Sequence, residues 1–440
     1  MKIGIIGCGY VADHYMETLD RHSNLELAGL TDLIAERAQR LATHYDAKIY
    51  PDMAAMIADP EVRLIVNLTE PENHFAVSKA CIEAGKHVYS EKPLSIDFEE
   101  AKALIELAEK HGVLLSSAPC SVLSESAQTL WHAVNDGAVG KPRLVYAELD
   151  DNPVYLMRPE GWSNARGTPW PYLNEYEIGC TIEHAGYYLT WLAAIFGPAK
   201  SVTAFSSCVV PDKTPLPLNP PDTPDFSVAC IEFESGVAAR LTCSIVAPYD
   251  HRLQIIGDEG VLSVDECWQY GTPVYLERFT QTSLNARKSR TVRASSLLRS
   301  LFGIRGRRQK LVAEPWSAVR QAWRDLVEGK RSLFGALFHI ISKRELVSMD
   351  FFRGVAEMAS ALEENRSCLL PPDFVLHIVE LTLATQNART TGASTTLTTT
   401  FKPLQPKPKS APGHSGFSNA ARPGPTTRAL EWTIARLHKH

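Results

Sequence analysis

Two short runs in this 440-residue chain combine residue types and spacings that can do chemistry. Gly7-Cys8-Gly9-Tyr10-Val11-Ala12 is a G-x-G-x-x-A turn. Gly7 allows the tight turn, Gly9 lets the backbone approach a pyrophosphate, and Ala12 lets a helix pack close behind. A helix opening there turns free N–H groups and its positive dipole end toward phosphates. Asp32, a little over twenty residues further on, stands where an acid accepts hydrogen bonds from both hydroxyls of an adenosine ribose. A 2′-phosphate would be repelled there, so NAD is expected over NADP. The competing account is a tight turn with no ligand.

The second run is Glu91-Lys92-Pro93. A lysine at the carboxyl edge of a sheet can donate to an alcohol or carbonyl oxygen and help move a proton. Pro93 restricts the backbone that aims it.

Both runs need a parallel sheet to hold them. Through about residue 118, short β-branched runs alternate with amphipathic stretches, the pattern of βαβ units. Strands are expected at Lys2 to Gly7, Leu25 to Thr31, Leu64 to Leu68, His87 to Ser90 and Val113 to Ser116. The intervening helices fall at Ala12 to Arg21, Ile34 to Tyr45, Asn73 to Ala84 and Phe98 to Lys110. After Pro119 strands follow one another across short turns such as Glu234-Ser235-Gly236, which indicates an antiparallel sheet. The expected fold is α/β, a Rossmann domain at 1–118 followed by an α+β domain at 119–390. Helices are expected at Ser124 to Asn135, Pro315 to Gly329, Ser348 to Glu364 and Asp373 to Gln386. Residues 391–440 are rich in Thr, Pro, Lys and Ser and read as a disordered tail, with a short helix at Leu430 to Leu437.

The glycine turn at the extreme N-terminus, Asp32, Thr69-x-Pro71-x-x-His74 and Glu91-Lys92-Pro93 together resemble the Gfo/Idh/MocA oxidoreductase family. The resemblance spans roughly residues 1 to 390. It implies a C-terminal domain with a large, mostly antiparallel, open-faced sheet. It also implies a cofactor-binding set of Gly7, Gly9, Tyr10, Val11, Ala12, Asp32, Arg37, Thr69, Pro71, His74, Glu91 and Lys92. His74 is placed by it near the nicotinamide or its phosphates, a helix-capping or packing histidine being the alternative.

The run Gly179-Cys180-Thr181-Ile182-Glu183-His184-Ala185-Gly186-Tyr187 is similar to the family's glycine-rich entry into a helix bearing Asp-x-x-x-His. Glu183 falls on the aspartate and Tyr187 on the histidine. Four-residue spacing puts both on one helical face. His184 is their neighbour and either it or Tyr187 handles the proton. The implied catalytic set is Lys92, Glu183, Tyr187 and His184, and the implied activity is hydride transfer between NAD and a secondary alcohol or ketone of a sugar, sugar derivative or cyclitol. Two alternatives stand beside it: a redox-neutral NAD-dependent glycosidase, and a non-catalytic NAD- or sugar-binding regulatory protein. The retained Glu91-Lys92-Pro93 argues against the last.

The cluster Trp162, Trp170, Tyr172, Tyr176, Arg158 and Arg166 either recognises a sugar or carboxylate or staples a long loop. The acid-free basic stretch about 285–310 is either a flexible solvated insertion or a surface for anionic lipid. Composition sets the remaining limits. With 45% hydrophobic residues, 22% charged and a net charge of −5, the chain is globular and carries no general field for nucleic acid. Nine scattered cysteines without a Cys-x-x-Cys pair read as reduced thiols in a cytoplasmic protein with no metal site. No apolar run is long enough to span a membrane. Small-molecule substrate and a second copy of the chain are the expected partners.

Overall fold

The computed structural model describes residues 1–164, 166–302, 304, 332, 349–391 and 394–408. Along the first part of the chain run β1 (Lys2–Ile6), α1 (Tyr10–Leu19), β2 (Glu26–Thr31), α2 (Ala35–Tyr45), α3 (Met53–Ala58), β3 (Leu64–Asn67), α4 (His74–Glu83), β4 (His87–Ser90), α5 (Phe98–His111) and β5 (Leu115–Ser117). The five strands pair in parallel in the order β2-β1-β3-β4-β5. Every residue of β3 is buried, as expected for a strand covered on both faces. This is a Rossmann sheet. The order reverses between β1 and β3, so their carboxyl ends flank the crevice where open α/β sheets bind ligands.

Next come α6 (Glu125–Asn135), β6 (Pro142–Asp150), α7 (Tyr172–Ile178), α8 (Cys180–Phe196), β7 (Ala199–Ser207), β8 (Phe226–Phe233), β9 (Ala238–Ser244), β10 (Leu253–Gly257), β11 (Gly260–Val264) and β12 (Tyr275–Arg278). Three short helices, α9 (Gln281–Ala286), α10 (Arg290–Ala294) and α11 (Ser296–Leu301), precede α12 (Arg353–Glu363), α13 (Pro372–Gln386), α14 (Ala388–Thr391) and β13 (Ser394–Thr396).

The chain divides into two compact units. The first takes in Met1–Leu123, Glu148–Asp250 and Asp350–Leu404, and the second the described residues of Ser124–Ala147, His251–Met349 and Gln405–His440. Antiparallel strands run β9-β8-β7-β13 in the first and β6-β10-β11-β12 in the second. Along β7, buried Val202 and Ala204 alternate with exposed Thr203 and Phe205, so one face is covered and the other open.

Late helices complete the early core: Phe352, Val355 and Met358 pack with Ile3, Ile5 and Leu64, while Val375 and Val379 pack with Ile65, Val88 and Leu104. The parallel sheet cannot exclude water on both faces without them.

One expectation is corrected. Residues 394–408 are not a disordered tail: β13 pairs with β7, Thr398 and Thr399 donate to Glu380, and Phe401 packs edge-on against Phe374 at 5.0 Å. The described part of the basic stretch is largely helical, with most of its side chains exposed. Ala286, Val292 and Ile304 form a small apolar cluster, and Arg287 pairs with Glu277. Arg305, Arg307, Arg308 and Lys310, the helix expected at Pro315 to Gly329 and residues 409–440 lie outside the described residues.

Candidate active site

The site is built at the carboxyl edge of the parallel sheet. Gly7 leaves β1 with φ +98°, and a Cβ there would lie 2.5 Å from the Leu68 carbonyl oxygen, so only glycine makes this turn. A Cβ on Gly9 would meet nothing within 4 Å, the open backbone that a pyrophosphate needs. No side chain caps α1, which leaves its entry at Tyr10 and Val11 suited to an anion, while Ala12 is buried against the sheet. Asp32 accepts from the Cys8 N–H at 2.6 Å and the Ile34 N–H at 2.7 Å, holding its carboxylate beside the glycine turn. Arg37 lies in the first turn of α2, 3.9 Å from Glu70. Open turn, uncapped helix and fixed carboxylate fit a dinucleotide.

After β3, the Thr69 hydroxyl donates to Asn67 at 2.7 Å and Pro71 opens a single 3-10 turn into α4. His74 is buried, with Nδ1 2.6 Å from the Pro93 carbonyl oxygen and Nε2 2.9 Å from that of Thr69. Burial lowers its pKa while the two carbonyls push the other way. The ring therefore braces the segment carrying Lys92 against the segment carrying Thr69. Glu91 does similar work: one oxygen accepts from the Tyr15 hydroxyl at 2.8 Å and the other from the Lys92 N–H at 2.8 Å, tying the loop to α1.

From this braced loop Lys92 reaches Glu183 on α8 and forms a close ion pair, with both side chains largely buried. Burial alone would lower the lysine pKa, but Glu183, Tyr187, Glu91 and Glu175 outweigh it and raise it above the ordinary value. Lys92 is thus held as a cation, suited to donate a hydrogen bond rather than to act as a base. Tyr187 is half-buried and its phenol contributes to that field. Its backbone carbonyl accepts from the Ser121 and Thr190 hydroxyls. His184, one residue past Glu183, has Nε2 3.3 Å from Glu175 on α7.

The α7–α8 junction makes this convergence possible. Gly179 has φ +100°, and a Cβ there would collide with Gln386 and Thr223. The Gly179 N–H donates to the Glu175 carbonyl at 3.0 Å, ending α7 where α8 begins.

Sequence reasoning missed Glu175, because Tyr172–Ile178 reads as an aromatic loop and the ion pairing is between elements. It also missed Asn67, whose amide donates to the His74 carbonyl at 3.1 Å and Ser78 at 3.0 Å. Within the aromatic cluster, Trp162 and Trp170 pack at 5.0 Å and Tyr172 meets Tyr176 edge-on at 5.9 Å. Arg166 is engaged with Asp13, Glu17 and His44 rather than free for a substrate. In the second unit, His251, Glu266 and Cys267 bring ligand-type atoms within 4.8 Å of one another, a grouping not legible from cysteine spacing. Glu266 there accepts from the Cys267 and Trp268 N–H groups, which organises the turn after β11.

A glycine turn suited to a dinucleotide and a buried lysine at the same sheet edge fit one class, an NAD(P)-dependent oxidoreductase acting on CH–OH groups. The chain belongs to the Gfo/Idh/MocA oxidoreductase family: residues 1–118 match its NAD-binding Rossmann-fold model and residues 127–263 its C-terminal domain model. It is 23% identical over 279 residues to an inositol 2-dehydrogenase/D-chiro-inositol 3-dehydrogenase of Lactiplantibacillus plantarum, covering 62% of this chain and 73% of the relative. It is 24% identical over 272 residues to a myo-inositol 2-dehydrogenase of Thermotoga maritima, covering 60% and 75%. Among solved structures, the WlbA dehydrogenase of Bordetella pertussis with NADH and UDP-GlcNAcA superposes with TM-score 0.62 at 16% identity, covering 90% of this chain and 97% of the other. No helix among the described residues is long and apolar enough to cross a membrane.

Proposed function

We propose that this chain is an NAD-dependent dehydrogenase or reductase acting on a secondary alcohol or ketone of a sugar, sugar derivative or cyclitol. The observation that carries the reading is the buried Lys92–Glu183 pair, set by Glu91 and His74 at the edge where the nicotinamide would lie. Gly7, Gly9, Tyr10, Val11 and Ala12 would hold the pyrophosphate, and Asp32 the adenosine ribose, which favours NAD over NADP. When bound, the nicotinamide supplies the two-electron hydride chemistry. Lys92 donates to the substrate oxygen and stabilises the charge that develops there as the C–H bond breaks. Glu183 keeps Lys92 charged and aimed, and Tyr187 lies on the same face of α8 for the hydroxyl proton. The names of the inositol dehydrogenases and the sugar nucleotide held by the WlbA dehydrogenase support a polyhydroxylated ring as substrate. A homo-oligomer in the cytoplasm, in keeping with nine cysteines that form no disulfide, completes the reading.

The test is to denature the purified protein, identify any released nucleotide by mass, and screen inositols, sugars, uronates and nucleotide sugars for NADH formation. Net NADH from an alcohol supports a dehydrogenase. Product without net NADH would assign the redox-neutral glycosidase instead, and no NADH from any alcohol in the panel would count against the reading.

A further inference from the structure

Behind the Lys92–Glu183 pair lies a second acid–base pair that the mechanism above does not use. Glu175 is the fourth residue of α7 and His184 the fifth of α8, and the sharp junction at Gly179 brings Nε2 within 3.3 Å of a Glu175 oxygen. Both side chains are about nine-tenths buried, at 9% and 10% exposed. The groups whose charge Glu175 feels, or which feel its charge, come from three directions: Lys92 on the β4 loop, Glu183, His184 and Cys180 on α8, and Asp151 after β6, with Tyr176 beside it on α7. One lysine cation therefore faces Glu91, Glu183 and Glu175 together. A third full negative charge in so buried a place is costly.

We propose that Glu175 and His184 are the proton store of the active site, Glu175 acting as a positioning residue that loads His184. This rests on the oxidoreductase reading above. In the reducing direction the carbonyl carbon gains a hydride, and the oxygen gains the proton carried on Nδ1 of His184, directly or through the Tyr187 hydroxyl. The Glu175 carboxyl proton moves onto Nε2 as the Nδ1–H bond breaks, which leaves a neutral imidazole and a carboxylate. A proton from solvent restores the pair. In the oxidising direction the steps reverse, so the pair must first be in its carboxylate form. Burial, then the Glu183 charge, raise the Glu175 pKa well above the ordinary carboxyl value, which favours its protonated form in the resting protein.

Two measurements test this. Infrared difference spectra between the intact protein and Glu175→Gln at pH 7, with no substrate added, are expected to show a protonated carboxyl band lost in the variant. Its absence would mean an ordinary carboxylate and would overturn the proposal. The second follows NADH formation against pH with whichever panel alcohol the intact protein oxidises. The rate is expected to rise above neutral pH as the pair loses its proton. Glu175→Gln should flatten that rise and lower kcat on the order of tenfold, while Glu175→Asp restores the rise and NAD affinity stays the same. A variant profile of unchanged shape, merely scaled down, would show a structural role and sink the idea. Should the intact protein oxidise nothing in the panel, the functional reading fails and the infrared result alone decides the pair.

Discussion

The Arg166 guanidinium lies 3.1 Å from Asp13, in the first turn of the helix that leaves the glycine-rich turn. It also contacts Glu17 at 3.1 Å and His44 at 3.0 Å and stacks 5.0 Å over the Tyr45 ring. Two residues earlier, the Asn164 amide donates to the Tyr10 carbonyl at 3.3 Å. The loop from Trp162 to Trp170 is thus strapped across the start of α1.

Loosening that strap should speed cofactor exchange. Arg166→Ala is expected to raise the NAD dissociation rate severalfold and to lower stability by about 2 kcal/mol, because Asp13 is left buried without its cation. Adding Asp13→Asn should recover most of the stability. Stopped-flow release and urea unfolding measure the two effects, and independent, additive losses would rule the contact out as the cause.

Asp32 should set cofactor choice. NAD is expected to bind at least about tenfold tighter than NADP, roughly 1.4 kcal/mol. In Asp32→Ala the gap should close mainly through weaker NAD binding, since the carboxylate also holds the Cys8 N–H. Calorimetry with both nucleotides decides it, and equal affinities in the intact protein would refute the assignment.

Lys92→Ala should act on turnover rather than on cofactor affinity. Charge on the substrate oxygen develops only as the hydride moves, so kcat is expected to fall on the order of 10² or more with NAD Kd little changed. Retention of near-normal turnover would require the Lys92 role to be abandoned.

Asp350 ties His22 to the start of α12. Its carboxylate lies 2.8 Å from His22 Nε2 and 3.3 Å from Arg353. Burial would raise its pKa, yet the His22 hydrogen bond and the Arg353 charge win and hold it below the ordinary aspartate value. A depressed folded-state pKa contributes stability above the unfolded value, about 3.9, and that contribution is lost as pH falls through the lower folded value. Asp350→Asn should therefore cost stability at neutral pH and progressively less below about pH 4. Chemical unfolding at several pH values reads this directly, and a difference that did not shrink in acid would contradict it.

Gly354 has no room for a methyl group. A Cβ there would collide with the Tyr89 hydroxyl and ring, where α12 packs on β4. Gly354→Ala is expected to cost about 1–3 kcal/mol, with Tyr89→Phe recovering part. Thermal unfolding of the single and double variants provides the check.

The parallel sheet was legible because its periodicities are strong. β4 spans His87–Ser90, the bounds expected from the sequence, and α5 carries Ala101, Leu104 and Ala108 on one buried face. α3 escaped notice because six residues are too few for a helical period to emerge. Lys92 and Glu183 are 91 residues apart, so their pairing is visible in sequence only through a family pattern. Nothing of the kind points to Glu175, whose partner depends on the angle at Gly179. The threonine-rich segment misled in the opposite way: low apolar content suggested disorder, but β-branched threonines suit an edge strand.

That edge strand also shields its neighbour. β7 is long and carries an exposed Phe205, and without β13 the backbone of Ser201, Val202 and Thr203 would present open donors and acceptors to any other strand. A chain shortened after Gln386 would keep every candidate site residue and still be prone to stack edge to edge. Residues Ser394–Thr396 thus cover the β7 edge, and their loss is expected to appear in light scattering before it appears in turnover.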